Sequence, residues 1–335
     1  MRCWYILVSW IMSLLLRVYL LSSWMMFLLW GCSMKQQVLD DATSLENIKA
    51  FPHLVVLGVA QDAGYPQANC KKSCCAKLWE DPSQRKMVSC LGFRDPIKKN
   101  AYLFDATPDI RFQLNTLLSF KGIEYDLEGI FVTHAHIGHY TGLMHLGREA
   151  MGAESVSTYV MPRMASYISD NGPWSNLVNF NHIRLHAIAD RTDIKLETDL
   201  IVRPLLVPHR DEYSETVGFL IDGPTKKALF IPDIDKWHKW DTDINALIEK
   251  VDYAFLDGTF YRNGEIWGRD MSQIPHPFIE ESVGRFKTLS SENKSKIYFI
   301  HFNHTNPLLN EGSEEFRSFK ESNFNLAKEG QVFPM

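Results

Sequence analysis

The chain predicts an α/β fold in which two layered sheets are flanked by helices. Short apolar runs that end in polar residues or glycine recur along most of the 335 residues, as buried or half-buried strands do. Helix-like stretches are interspersed among these runs instead of forming one block. The strand-like runs also cluster, which fits a two-sheet sandwich better than a doubly wound single sheet.

Taken in order, strands are expected at 54–60, 101–106, 129–133, 157–161, 199–207, 217–222, 227–232, 253–257 and 297–301. Helices are expected at about 108–120, 139–151, 162–170, 242–250, 278–290 and 311–322. Pro108 stands where a first-turn proline is tolerated, and Thr107 is placed to cap that helix. There is no tandem repeat or low-complexity tract. Residues 51–335 are enough for one large domain without a second core.

The amino terminus reads differently. From Trp4 to Trp30 the chain is apolar apart from Arg17 and a few serines, and a polar stretch runs from Lys35 to Lys49. Such a segment is long enough to span a membrane. It also fits a secretory signal, above all if translation starts at Met12, leaving Arg17 as the charged region and Val18 to Leu29 as the apolar core. Leu29-Trp30-Gly31-Cys32 resembles the bacterial lipoprotein signal, in which the cysteine is diacylated and becomes the new amino terminus. An uncleaved anchor helix is the alternative. Both readings make residues 1–32 a signal or anchor and 33–50 a tether, with the body held by the membrane outside the cytoplasm, in the periplasm or at the cell surface. The net charge of −5, without a basic stripe, gives no reason to expect a nucleic-acid partner.

The most informative run is Thr133-His134-Ala135-His136-Ile137-Gly138-His139-Tyr140-Thr141-Gly142, directly after the apolar Gly129-Ile130-Phe131-Val132. Three imidazoles at a strand end can be folded back onto one point, and neutral imidazole is a common ligand of zinc and iron. Further candidate ligands close later apolar runs: His209 after Leu206-Val207-Pro208, Asp233 after Ile231-Pro232, and His301 after Phe299-Ile300.

These positions, in this order, resemble the metallo-β-lactamase superfamily, whose strand-end motif is HxHxDH. The resemblance implies a four-layer αββα sandwich. A narrower similarity to the pyrroloquinoline-quinone biosynthesis protein B group lies in Leu57-Gly58-Val59-Ala60-Gln61-Asp62-Ala63-Gly64-Tyr65-Pro66-Gln67-Ala68-Asn69-Cys70, in Phe104-Asp105-Ala106-Thr107-Pro108-Asp109-Ile110-Arg111, and in His301-Phe302-Asn303-His304-Thr305-Asn306-Pro307.

The resemblance implies that His134, His136, His209 and Asp233 hold one metal ion, and that His139, His301 and Asp233 hold a second. Zinc is the expected ion, one or two per chain, with iron possible. Metal-bound hydroxide would then attack an ester, phosphodiester or related bond of a small molecule. Two other readings stay open: an iron-dependent oxidoreductase on the same ligands, and a noncatalytic metal-binding lipoprotein.

Gly138 is the departure, because relatives that bind two metals carry aspartate there. Asp62 either replaces that carboxylate or caps a turn with Gly64. His276, in Ile274-Pro275-His276-Pro277, resembles the general-acid or phosphate-contacting histidine of phosphodiesterases in the superfamily. His304 is a second candidate to supplement the missing carboxylate at the catalytic cleft, or else contacts substrate or hydrogen-bonds its own loop, and Asp105 is expected to brace the histidine loop without binding metal. Cys70, Cys74, Cys75 and Cys90 are candidates for a structural zinc site or for disulfides, and strain makes a Cys74–Cys75 bond the least expected.

Overall fold

The computed structural model describes residues 51–335, so the signal or anchor, the tether and Cys32 lie outside the described residues. Among the described residues no helix is long and apolar enough to cross a membrane.

Alternation along each strand decides the layering. In the strand His53–Gly58, Leu54 and Val56 join a core shared by both sheets, while Val55 and Leu57 face a second core that includes Ile110, Leu114 and Leu117 of the helix Ile110–Leu118. This period of two sends alternate side chains to opposite faces. Phe104 and Phe131 from one sheet meet Phe219 and Phe230 from the other, with ring centroids 5.6 to 6.4 Å apart across the sheets. Each such ring, fully buried, contributes roughly 2–3 kcal/mol.

The first sheet has seven strands in the order Val332–Pro334, His53–Gly58, Cys90–Asp95, Asn100–Phe104, Asp126–Phe131, Val156–Val160 and Ile183–Ala187. The second also has seven, ordered Asn325–Leu326, Ile297–Ile300, Tyr253–Asp257, Lys227–Ile231, Val217–Asp222, Ile201–Leu206 and Ile194–Lys195. Each sheet is antiparallel on one side and parallel on the other. Helices cover the outer faces, which completes the four-layer αββα sandwich.

Several elements depart from the sequence expectation. Cys90–Asp95 is a fully buried central strand that carries Arg94 and Asp95. Arg94 is accommodated because Nε donates to Leu117 O at 2.8 Å, a second nitrogen donates to Thr116 O, and the guanidinium lies 4.3 Å from the Phe120 ring centroid. Those carbonyls close the helix Ile110–Leu118, where a cation is favoured. The edge strand Ile183–Ala187 and the helix Ser73–Glu80 were also unexpected.

The helix expected from 108 begins at Ile110, while Thr107 Oγ1 accepts from Asp109 N at 3.1 Å and donates to Gln113 Oε1. The helix expected over 139–151 shrinks to one turn, Ile137–Tyr140, followed by a 3₁₀ segment, Thr141–Leu146. Gly142 explains part of this: a Cβ there would lie 2.1 Å from Thr107 O, so backbone packs on backbone at that point. Pro162–Asp170 matches its expectation.

Candidate metal centre

The strand Asp126–Phe131 runs into Thr133 and then the histidines, and the neighbouring strand Asn100–Phe104 ends at Asp105. Asp105 holds the loop. Its Oδ1 accepts from Thr133 N at 2.8 Å and from Thr133 Oγ1 at 2.9 Å, and its Oδ2 lies 2.8 Å from His139 Nδ1. Thr133 Oγ1 is also 3.0 Å from His134 Nδ1. The far nitrogens of His134 and His139 are thereby turned away from their supports, as a ligand's outer partners do. The brace expected of Asp105 is what the structure contains.

The second sheet repeats the device. Asp257, at the end of Tyr253–Asp257, accepts at Oδ1 from Thr259 N at 2.9 Å and Thr259 Oγ1 at 2.7 Å, and its Oδ2 lies 2.8 Å from His276 Nδ1. Thr259 Oγ1 is 2.9 Å from His301 Nδ1. His301 has φ 69° and Asp105 φ 72°, so both strand ends turn through the left-handed region to aim their side chains.

Two four-residue groups of ligand atoms result, each mutually within 4.8 Å: His134, His136, His209 and Asp233, and Asp62, His139, Asp233 and His301; a three-residue group, Asp257, His276 and His301, adjoins them. In the first, His134 Nε2 lies 2.8 Å from His136 Nδ1 and 3.3 Å from Asp233 Oδ2, and His209 Nε2 lies 3.3 Å from Asp233 Oδ1. In the second, His139 Nε2 lies 3.3 Å from Asp62 Oδ1 and 3.6 Å from Asp233 Oδ2. His301 Nε2 lies 3.9 Å from Asp62 Oδ1 and 3.8 Å from Asp233 Oδ2.

The residues fit a metal. His139 Nε2, both ring nitrogens of His209, His301 Nε2, Asp233 Oδ1 and Asp62 Oδ1 are buried without a hydrogen-bond partner. That much unpaired polarity is costly unless a cation pairs it. Ligands about 2.0–2.1 Å from a tetrahedral zinc stand roughly 3.3–3.4 Å apart, close to most of these separations.

Burial, then the neighbouring His139, keeps His134 well below the usual histidine range, and burial lowers His209 to about 4, so both rings are neutral and able to accept a cation. Burial opposes ionisation of Asp233, yet His209, His276 and His301 hold it well below the usual carboxylate range. In His139 burial is outweighed by Asp105, which raises the ring well above its ordinary value.

The other sequence-predicted residues fall in four places. Asp62 enters the second group, and the turn it was alternatively expected to cap is closed by backbone, Gly64 N to Gln61 O at 2.8 Å. His276 packs beside the cleft, its Nδ1 3.1 Å from Asp233 Oδ1. Burial works against its charge, but Asp257 and Asp233 raise it to about 9.

His304 is a correction, because it stands with Cys70, Cys74 and Cys75, with ligand atoms mutually within 4.8 Å, and not in the cleft groups. Cys90 is another. Its Sγ is buried against Asp105 O at 3.4 Å, inside a central strand and apart from the cysteine group. The four described cysteines are free, with Sγ atoms of Cys70 and Cys74 3.9 Å apart, so the disulfide reading does not hold among the described residues.

Sequence reasoning missed Thr133, Thr259, Asp257 and Glu212, whose Oε2 is 3.3 Å from His136 Nε2. Asp257 had a usable signal: like Asp105, it follows an apolar strand whose neighbour delivers a histidine.

Comparison with known proteins agrees with this architecture. Coenzyme PQQ synthesis protein B of Xanthomonas axonopodis pv. citri (strain 306) is 27% identical over 303 residues, covering 83% of this chain and 98% of that protein. The protein of that name from Methylorubrum extorquens (strain PA1) is 24% identical over 301 residues, with the same coverage. Among solved structures, zinc-bound PqqB from Methylobacterium extorquens superposes with a TM-score of 0.70 at 23% identity, over 84% of this chain and all of that one. A diphosphatase of the PhnP family does so with a TM-score of 0.60 at 21% identity, over 85% of this chain and 97% of its own. At these identities the structures speak to the fold. The model of the β-lactamase superfamily domain matches residues 100–302, the span that holds the histidine loop, Asp233 and His301, and the chain belongs to that family.

Proposed function

We propose that this protein is a metal-dependent hydrolase acting on an ester, phosphodiester or related bond of a small molecule. The observation that carries the reading is the convergence of the unpaired, buried imidazole nitrogens of His209, His139 and His301 on the two oxygens of Asp233. When bound at His134, His136, His209 and Asp233, and at His139, His301 and Asp233, zinc supplies a Lewis acid and water ionised near neutral pH.

The protein's own residues do the rest. Asp105 and Thr133 on one side, and Thr259 on the other, fix ring orientation before anything binds, which lowers the reorganisation needed during reaction. His276 keeps a proton at Nδ1 between Asp257 and Asp233, leaving Nε2 to donate to a departing oxygen. A surface hollow of about 440 Å³, bounded by Arg163, Tyr167, Glu212 and Tyr213, adjoins the metal centre through Glu212, whose Oε2 is 3.3 Å from His136 Nε2. Cys70, Cys74, Cys75 and His304 would hold a separate structural ion. The sequence of residues 1–32 supports export with lipid attachment at Cys32, which Cys32→Ser would abolish, releasing the protein from the membrane fraction.

Metal analysis of protein purified without added metal, beside His134→Ala, tests the function together with a panel of esters and phosphodiesters. Zinc and turnover lost together with His134 are the expected result. Iron lost with His134 would favour oxygen chemistry, and metal without turnover a noncatalytic binder.

A further inference from the structure

The second ligand group contains three residues expected of it or shared with the first, and one from elsewhere in the chain. Asp62 lies beyond the strand His53–Gly58, far in sequence from the histidine loop. Its Oδ1 faces His139 Nε2 at 3.3 Å and His301 Nε2 at 3.9 Å, and it makes no hydrogen bond although the atom is buried. The stretch before Asp62 is anchored to the strand end that carries His301: Phe302 N donates to Val59 O at 2.8 Å, and Gln61 N donates to Phe302 O at 2.8 Å. Asn303 Nδ2 also donates to Gln61 Oε1. The carboxylate is therefore delivered by a stretch bonded to the His301 loop, not by a free tip.

Gly138 supplies the independent observation. An added Cβ there would stand 2.3 Å from Asp62 Oδ1, 2.5 Å from Asp62 Cα and 3.1 Å from Asp62 Cβ. Real Cβ atoms do not approach that closely, and the backbone of Asp62 is among the atoms in the way. Any side chain at 138 would displace Asp62, and Asp62 occupies the space a side chain at 138 would use. The two positions exclude one another sterically. They also match chemically, since the space left by the glycine is filled by a carboxylate.

We infer that Asp62 is the carboxylate ligand of the second metal ion, transferred from position 138 of the histidine loop to the segment after the first strand. With it, His139, Asp233, His301 and Asp62 make a complete four-ligand set, two imidazoles and two carboxylates, in which Asp233 is shared with the first group. The inference rests on the metal-centre reading above but not on turnover.

The test is zinc stoichiometry and affinity on the full chain, by equilibrium dialysis with elemental analysis, for wild type, Asp62→Asn, Gly138→Asp and the double variant Asp62→Gly/Gly138→Asp. Asp62→Asn should lose one ion per chain, or at least tenfold in the affinity of the weaker cleft ion, with its chelator-treated melting temperature unchanged. Gly138→Asp alone, crowding Asp62, should also lose that ion. The double variant should regain it, because one carboxylate again has room. Unaltered zinc content and affinity in Asp62→Asn would overturn the inference, as would a double variant no better than Asp62→Asn. Loss of one ion from Asp62→Asn in a protein that hydrolyses nothing would support the ligand while defeating the hydrolase reading.

Discussion

The two halves of the molecule solve one problem with the same parts and a different layout. In the first, Asp105 takes Thr133 N and Oγ1 on one oxygen and His139 on the other. In the second, Asp257 takes Thr259 N and Oγ1 on one oxygen and His276 on the other, at distances within about 0.2 Å of the first set. The layout differs in sequence. The first half delivers His134, His136 and His139 from one turn, whereas the second collects His209, Asp233, His276 and His301 from separate strand ends and loops. A braced ligand therefore needs only a strand-end aspartate and a threonine near it, and clustering in sequence is incidental.

The harshest way to break the comparison is at Asp233, where the halves meet. Asp233→Ala should remove both cleft ions and lower kcat/KM on any substrate found by about 1,000-fold or more, because neither ligand group is complete without it. Zinc counting reads this directly, and loss of a single ion would show that the halves do not share this residue.

A finer test compares the braces. Asp105→Asn and Asp257→Asn should each weaken zinc binding by roughly 10–100-fold, the usual cost of losing an outer partner. Competition with a chromophoric chelator measures both, and matched penalties are expected if the devices are equivalent.

Legibility followed the same asymmetry. His134, His136 and His139 were visible as a motif because one loop holds them, and His209, Asp233 and His301 because each closes an apolar strand. Thr133, Thr259 and Asp257 were not, since their role depends on two neighbouring strand ends being level, a matter of register. Arg94 hid a central strand, its charge being satisfied by carbonyls at the end of a separate helix. Cys90 was grouped with the other cysteines by type alone, and only pairing within the sheet sets it against Asp105. His304 could not be placed because the cysteine loop reaches it from the opposite end of the chain.

The smallest effect concerns the seam between the sheets. Glu329 lies between Asn325–Leu326 of the second sheet and Val332–Pro334 of the first, and its Oε1 accepts from Met87 N. Burial raises its pKa from 4.5 to about 7. A carboxyl whose folded pKa is raised favours folding fully below about 4.5, and that contribution is lost as pH rises through about 7. Glu329→Gln should remove this slope, sparing about 1–2 kcal/mol above neutrality after allowance for partial solvent screening. Chemical denaturation of both proteins at pH 5 and pH 8, in chelator, checks it.

The strand Val332–Pro334 lies against His53–Gly58, and Met335 N donates to Pro52 O at 2.9 Å. The first and last strands of the described residues thus lie side by side, at the end of a strand whose other end leads to Asp62. The six residues between span about 20 Å. A fluorophore, affinity handle or second protein fused after Met335 would emerge at this point, one strand length from the cleft. In residues 51–335 alone, a short linker from Met335 to Phe51 would make a ring that could be reopened in a surface loop with both sheets intact.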